Sequence, residues 1–301
     1  MIEKLRVHSI LVQVSILIGI VLALMGLDIM YPSTEMVPIL LLALVIMNPR
    51  VRTFAIDFAP FLVLLISYDT LRNFADNLSA SDIHITDMIR WERSLFGGAL
   101  PGRVLQTTLT DKPYTLALDV LTNTLYLSHF LTPVITAIFL WRRRKTDYWA
   151  FAITLLLMSF AGFATFVAFP AAPPWWATHH GYLPGEAITL DPFIVDADVV
   201  SAGPNPVAAM PSLHTAYPTL IALVCVAVWG RKALPVLLLP LGVAFSTFYL
   251  GHHWVIDALA GAGYAVFFFG TVFLWLRQRE ASLDWLIRHR PALTPHILRK
   301  R

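Results

Sequence analysis

Long apolar runs separated by short clusters of Lys, Arg, Pro and polar residues set the pattern of this 301-residue chain. A bilayer core about 30 Å thick is crossed by roughly 20 helical residues. Eight runs approach that length, at 8–27, 36–47, 53–71, 115–141, 148–169, 212–229, 233–250 and 255–277, so about eight helical spans are predicted. The run at 36–47 is short and carries Pro38, which suits a re-entrant piece as well as a span. Lys4 and Arg6 precede the first run as they would in a signal peptide. That run is long, however, and leads into Leu27-Asp28-Ile29-Met30-Tyr31-Pro32 without an Ala-x-Ala site, so a retained helix is expected.

Composition narrows the class further. The chain is 57% hydrophobic and 14% charged, with a mean hydropathy of +0.67. Soluble domains carry roughly 25% charged residues, and disorder needs low hydrophobicity with high charge; both are excluded. The single cysteine, Cys225, lies inside the apolar run from Leu220 to Trp229, which excludes an intrachain disulfide.

The net charge of +3 gains meaning only from its placement. Seventeen of the 22 Lys and Arg fall in alternate loops: Lys4 and Arg6, Arg50 and Arg52, Arg142 to Lys145, Arg231 and Lys232, and seven from Arg277 to Arg301. Basic loops stay cytoplasmic, so both termini are expected there, and no nucleic-acid partner is implied. The opposite side holds the loop from Pro170 to Pro211, with Glu186, Asp191, Asp196 and Asp198 and no Lys or Arg. It also holds the stretch from Asp69 to Lys112, where Trp91, Leu95 and Phe96 are spaced as on an interfacial helix. The five remaining cations, Arg72, Arg90, Arg93, Arg103 and Lys112, all lie in that stretch. The chain divides into N-terminal spans with an outer amphipathic segment (1–114), a membrane core (115–277) and a basic cytoplasmic tail (278–301).

Ionisable groups near a membrane mark function, because burying them is costly. Met210-Pro211-Ser212-Leu213-His214 opens the sixth run. Pro and Ser favour a helix start, which puts His214 in the first turn, beside free N–H groups and the positive dipole end that hold an anion such as phosphate. Gly251-His252-His253-Trp254-Val255-Ile256-Asp257 joins the seventh run to the eighth. If this stretch is helical, His253 and Asp257 share a face, and the carboxylate orients the ring. The span order brings His214 and His253 to the same, extracytoplasmic side. One His attacking phosphorus while the other protonates the leaving oxygen is covalent catalysis joined to acid–base catalysis.

These motifs resemble those of the type 2 phosphatidic acid phosphatase superfamily. Pro211-Ser212-Leu213-His214 and Ser246 through His253 to Asp257 match its second and third signatures. The resemblance is nearer to the inositol phosphorylceramide synthase branch of inositolphosphotransferases. It includes Phe169-Pro170-Ala171-Ala172-Pro173-Pro174-Trp175-Trp176, Pro211 to Thr215, and Tyr249 to Asp257.

The resemblance implies an all-α polytopic bundle, with a six-helix phosphatase-like core and extra N-terminal spans. It further implies His253 as nucleophile forming a phosphohistidine, Asp257 as its orienter and His214 as acid and later base. Two departures matter. Thr247 follows Ser246 where the family has Arg, and no Lys-x6-Arg-Pro signature precedes the second motif. Replacement cations for the phosphate are expected from the outer five, Arg72 first and Arg103 second, with Ser212 and helix N–H groups beside them. No metal or other cofactor is implied.

The expected partner is a membrane lipid substrate, with a lipid or polyol hydroxyl as acceptor for a phosphotransferase, or water for a phosphatase. A transporter is the rival class, using Asp57 and Asp119 as a polar relay. His252 reads as a packing or interfacial residue, His179 and His180 as surface residues, Pro173 to Trp176 as a helix end at the interface, and Gly261-Ala262-Gly263 as a close helix-packing face.

Overall fold

The computed structural model describes residues 56–59, 82–185, 188 and 207–279. The chain divides into a unit Met1–Ile66, of which one helical turn is described, and a unit Ser67–Arg301, which holds every element below. The expected spans at 8–27 and 36–47, most of that at 53–71, Arg72 and the tail beyond Arg279 lie outside the described residues.

The second unit is helical, with α1 at Thr86–Leu95, α2 at Pro101–Leu109, α3 at Thr115–Arg143 and α4 at Lys145–Ala168. They are followed by the short α5 at Pro174–His179, α6 at Leu213–Trp229, a 3₁₀ segment at Gly230–Leu237, α7 at Leu238–Tyr249 and α8 at Val255–Phe268. A π turn at Phe269–Phe273 prolongs α8. Among the described residues, four stretches are long and apolar enough to cross a membrane: Thr115–Arg143, Lys145–Ala168, Leu213–Tyr249 and Val255–Arg279. The third covers two runs of the sequence, 212–229 and 233–250. It folds back at the 3₁₀ segment, where Gly230 takes φ +64°, so that His214 at its start meets His253 just past its end.

Several polar side chains inside the bundle are satisfied in one of two ways. Thr154 and Ser159 donate to carbonyls one turn back, at 2.6 and 2.8 Å, as an apolar medium requires. Between helices, the Ser159 hydroxyl bonds that of Tyr217 at 2.9 Å and the Thr165 hydroxyl bonds that of Tyr264 at 2.6 Å, linking α4 to α6 and α8. At the basic end, the buried carboxylate of Asp147 accepts Arg277 Nε at 3.0 Å and lies 3.7 Å from Arg144 Nη1, while Arg277 Nη1 donates to the Ala227 carbonyl at 3.0 Å. One carboxylate thus closes α4, the end of the α8 stretch and α6 together.

At the other end the closest approach is between α6 and α8. A Cβ on Gly261 would collide with the Ser212 carbonyl oxygen, so only glycine allows the contact. Gly263, two residues on, meets nothing within 4 Å, which confines the expected small-residue face to one position. Above this contact, Ala171 bridges two extended segments: its N–H donates to Val207 at 2.8 Å and its carbonyl accepts Ala209 N–H at 3.1 Å, while His84 donates to Pro170 at 2.8 Å. The Phe169 to Trp176 motif is therefore a junction as well as a helix end.

Gly261→Ala is expected to destabilise the detergent-solubilised protein by on the order of 1–3 kcal/mol, the cost of overpacking a tight contact. Gly263→Ala, with open space around it, is expected to be neutral or mildly stabilising. Thermal unfolding of the two variants by circular dichroism checks this, and equal behaviour would contradict it.

Candidate active site

The site begins with the first turn of α6. Ser212 is the residue before the helix, and the first internal bond runs from Ala216 N–H to its carbonyl at 3.0 Å. The N–H groups of Leu213, His214 and Thr215 therefore precede the helical ladder, as an anion site requires. Ser212 itself is sealed in. Its N–H donates to the Asp257 carbonyl at 2.9 Å, and its Oγ accepts from Thr215 Oγ1 at 3.5 Å.

His253 is held from three directions. Its N–H donates to the Thr247 carbonyl at 3.2 Å, its Nδ1 meets Asp257 Oδ2 at 3.3 Å, and its Nε2 meets His214 Nδ1 at 2.9 Å. A carboxylate only accepts, so His253 carries its proton on Nδ1 and offers the Nε2 lone pair toward His214, which donates.

The His253–Asp257 contact does not arise from a shared helical face, as the spacing alone predicts. The α8 helix starts only at Val255, and His253 precedes it. Asp257 occupies the third helical position, where its Oδ2 also accepts Trp254 N–H at 2.9 Å, so the carboxylate reaches the ring by capping its own helix.

A second carboxylate completes that helix start. Glu92 of α1 is 1% exposed, and its two oxygens accept Val255 N–H at 3.0 Å and Ile256 N–H at 3.3 Å. Glu92 thereby ties the amphipathic helix to the turn that carries His253. Burial lifts its pKa from 4.5 to about 7 against the pull of those two N–H groups, and the nearby Asp257 adds to the rise. On α1, Met88, Ile89 and Glu92 form the buried stripe, while Trp91, Leu95 and Phe96 stay exposed, as their interfacial spacing predicts.

Aromatic rings wall the pair. Tyr126 of α3 stacks with His214 at 4.7 Å and with His252 at 4.4 Å, and His129, 3% exposed, packs 4.1 Å from the His214 ring. His129 Nδ1 bonds the Tyr126 carbonyl, which fixes its ring. Desolvation in this stack, with His253 and His129 nearby, drives the His252 pKa down to about 3, so it stays a neutral packing residue, in line with its expected role. His179 and His180 are exposed, and His180 stacks on Trp176 at 3.6 Å.

The structure thus brings together His214, His253, Asp257 and Ser212. Arg103 lies on α2, which abuts the last turn of α7: a Cβ on Gly102 would sit 3.1 Å from the Phe248 carbonyl, and Gln106 Nε2 donates to the Tyr249 carbonyl at 2.8 Å. Among the described residues, no hydrogen bond or ion pair joins the Arg103 guanidinium to the histidines. Arg90 and Arg93 line a separate pocket with Tyr182. Asp119, the carboxylate a relay would use, accepts the Tyr249 hydroxyl at 2.7 Å.

Sequence spacing does not reveal Tyr126, His129 or Glu92. The two α3 residues lie three apart inside an apolar run, where a buried histidine is itself the signal. Glu92 lies one helical turn after Met88 on an otherwise apolar stripe.

The family model described as PAP2 superfamily matches residues 86–271, and the chain belongs to that superfamily. The chain is 30% identical over 234 residues to the phosphoinositol dihydroceramide synthase of Bacteroides thetaiotaomicron, covering 71% of this chain and 75% of that protein. No solved structure matches it. The chain is accordingly an integral membrane enzyme, a lipid phosphotransferase or phosphatase similar to inositol phosphorylceramide synthases.

The folded protein holds the Glu92 proton more tightly than the unfolded chain does. The Glu92 contribution to stability is therefore full below about pH 4.5 and is lost as pH rises through about 7. Melting temperature in detergent is expected to fall across that window for the native protein and to change less for Glu92→Gln. Identical pH profiles would contradict this.

Proposed function

We propose that the protein moves a phosphorylated polyol head group, of the phosphoinositol kind, from a membrane phospholipid to a lipid hydroxyl through a phosphohistidine at His253. The observation that carries this reading is the chain of contacts Asp257 Oδ2, His253 Nδ1–H, His253 Nε2 and His214 Nδ1, with distances of 3.3 and 2.9 Å. It leaves a lone pair on one ring facing a proton on the other. The donor phosphate enters between the rings and replaces their mutual hydrogen bond.

His253 Nε2 forms a bond to phosphorus as the bond from phosphorus to the glycerol oxygen breaks, and His214 delivers its proton to that oxygen. The acceptor hydroxyl then gives its proton to His214 and attacks phosphorus. The N–P bond breaks, and His253 returns to its starting form. Asp257 keeps the Nδ1 proton in place and stabilises the positive ring that exists while the N–P bond is formed.

The first-turn N–H groups of α6, with Arg72 and Arg103 as the available cations, neutralise the phosphoryl oxygens in place of the absent family signature. The similarity to the Bacteroides phosphoinositol dihydroceramide synthase supports an inositol head group and a ceramide-type acceptor. An extracytoplasmic site with cytoplasmic termini is supported by the basic loops: Arg144, Lys145 and Arg277 gather at the end of the bundle away from the histidines.

His253→Ala is expected to abolish transfer. His214→Ala is expected to reduce it by about 10²- to 10⁴-fold, the usual share of a general acid–base group. Lipid mass spectrometry of the purified protein, supplied with phosphatidylinositol and with ceramide and water in competition, checks both variants and the acceptor. Retained turnover in His253→Ala contradicts the mechanism, and release of free inositol phosphate in place of a new lipid assigns water as acceptor.

A further inference from the structure

An apolar groove of about 740 Å³ runs between α3 and α6 and is closed below by the 3₁₀ segment. Its volume is in the range of ligand pockets, about 300–1,000 Å³. It is lined by Thr132, Ile135 and Phe139 from α3 and by Ile221, Cys225 and Val228 from α6. These positions continue the stripes that carry the site histidines. Thr132 and Phe139 follow His129 at three and ten residues, and Ile221, Cys225 and Val228 follow His214 at seven, eleven and fourteen, spacings that keep one helix face.

Depth decides what this groove suits. At about 1.5 Å per residue, Phe139 lies ~15 Å below His129 and Val228 ~21 Å below His214. One leaflet's hydrocarbon is about half of a 30 Å core. A chain of that length, hanging from a phosphate at the histidines, passes Ile221 and reaches the level of Phe139 and Cys225. Beyond that level Arg144 and Lys232 replace the apolar lining. At the histidine end, Thr132 Oγ1 is buried without a hydrogen-bond partner among the described residues, ready for a polar group of the entering lipid.

We propose that this groove holds one hydrocarbon chain of the lipid whose head group reacts at His214 and His253, and that Ile221 and Cys225 set the chain length the enzyme accepts. The inference rests on the proposed reaction for its assay but has a separate physical readout.

Cys225→Trp and Ile221→Trp narrow the groove in mid-course. With donor lipids that share a head group and differ in chain length, the long-chain to short-chain ratio of kcat/KM is expected to fall roughly tenfold in each variant, the equivalent of one or two methylenes losing burial. A ratio that stays at the native value overturns the proposal.

Independently of turnover, the native protein is irradiated with a long-chain donor bearing a diazirine near the chain end, and the adducts are mapped by mass spectrometry. Adducts on the segments around Phe139 and Cys225 are expected, and adducts confined to α4 or α8 overturn the assignment. If neither donor turns over, the proposed reaction fails, and the adduct map still decides the groove.

Discussion

The first turn of α8 is the joint on which the site depends. Within it, Asp257 makes three attachments: its Oδ2 accepts Trp254 N–H and meets His253 Nδ1, and its main-chain carbonyl accepts Ser212 N–H. One residue therefore fixes the His253 ring, starts its own helix and anchors the start of the helix that carries His214. Gly261 lets the two backbones come close enough for this. The 2.9 Å contact between His214 and His253 follows from the joint and needs no further device.

Two buried carboxylates at one helix start would be costly without compensation. The start of α8 supplies it through free N–H groups and a positive dipole end, and between them Glu92 and Asp257 take up the N–H groups of Trp254, Val255 and Ile256. The arrangement also explains why an amphipathic helix far away in sequence belongs to the site. The α1 helix places its apolar stripe on the same core as Trp254 and Ile256, and Glu92 rides in that stripe. Trp254 is tied in turn by its indole N–H, which donates to the Ala172 carbonyl at 2.8 Å in the Phe169 to Trp176 motif.

Much of this was legible in the sequence because the motifs are local and the topology is coarse. Helix-start chemistry around Pro211 and Ser212, the run lengths and the Arg231–Lys232 turn together bring His214 and His253 to one end of a fold-back. Spacing pairs His253 with Asp257 on one face only if the stretch is helical; the helix starts at Val255, and the structure makes the pair through a cap. Tyr126 and His129 were hidden because an apolar run gives no sign of which face meets another helix. Glu92 was hidden because its partners are backbone N–H groups 163 and 164 residues away, which leave no side-chain pattern. Ser212 reads as a phosphate ligand by motif; its N–H serves the joint, and the N–H groups of Leu213, His214 and Thr215 follow it ahead of the helical ladder.

In the proposed reaction His253 Nε2 becomes covalently bonded to phosphorus. The most direct test is to mix the purified enzyme with donor lipid in the absence of acceptor, quench at alkaline pH where phosphohistidine survives, and map the adduct by tandem mass spectrometry. The expected result is a phosphorylated head-group fragment on His253, absent from His253→Ala. An unmodified His253, or an adduct on His214 or another residue, would contradict the account.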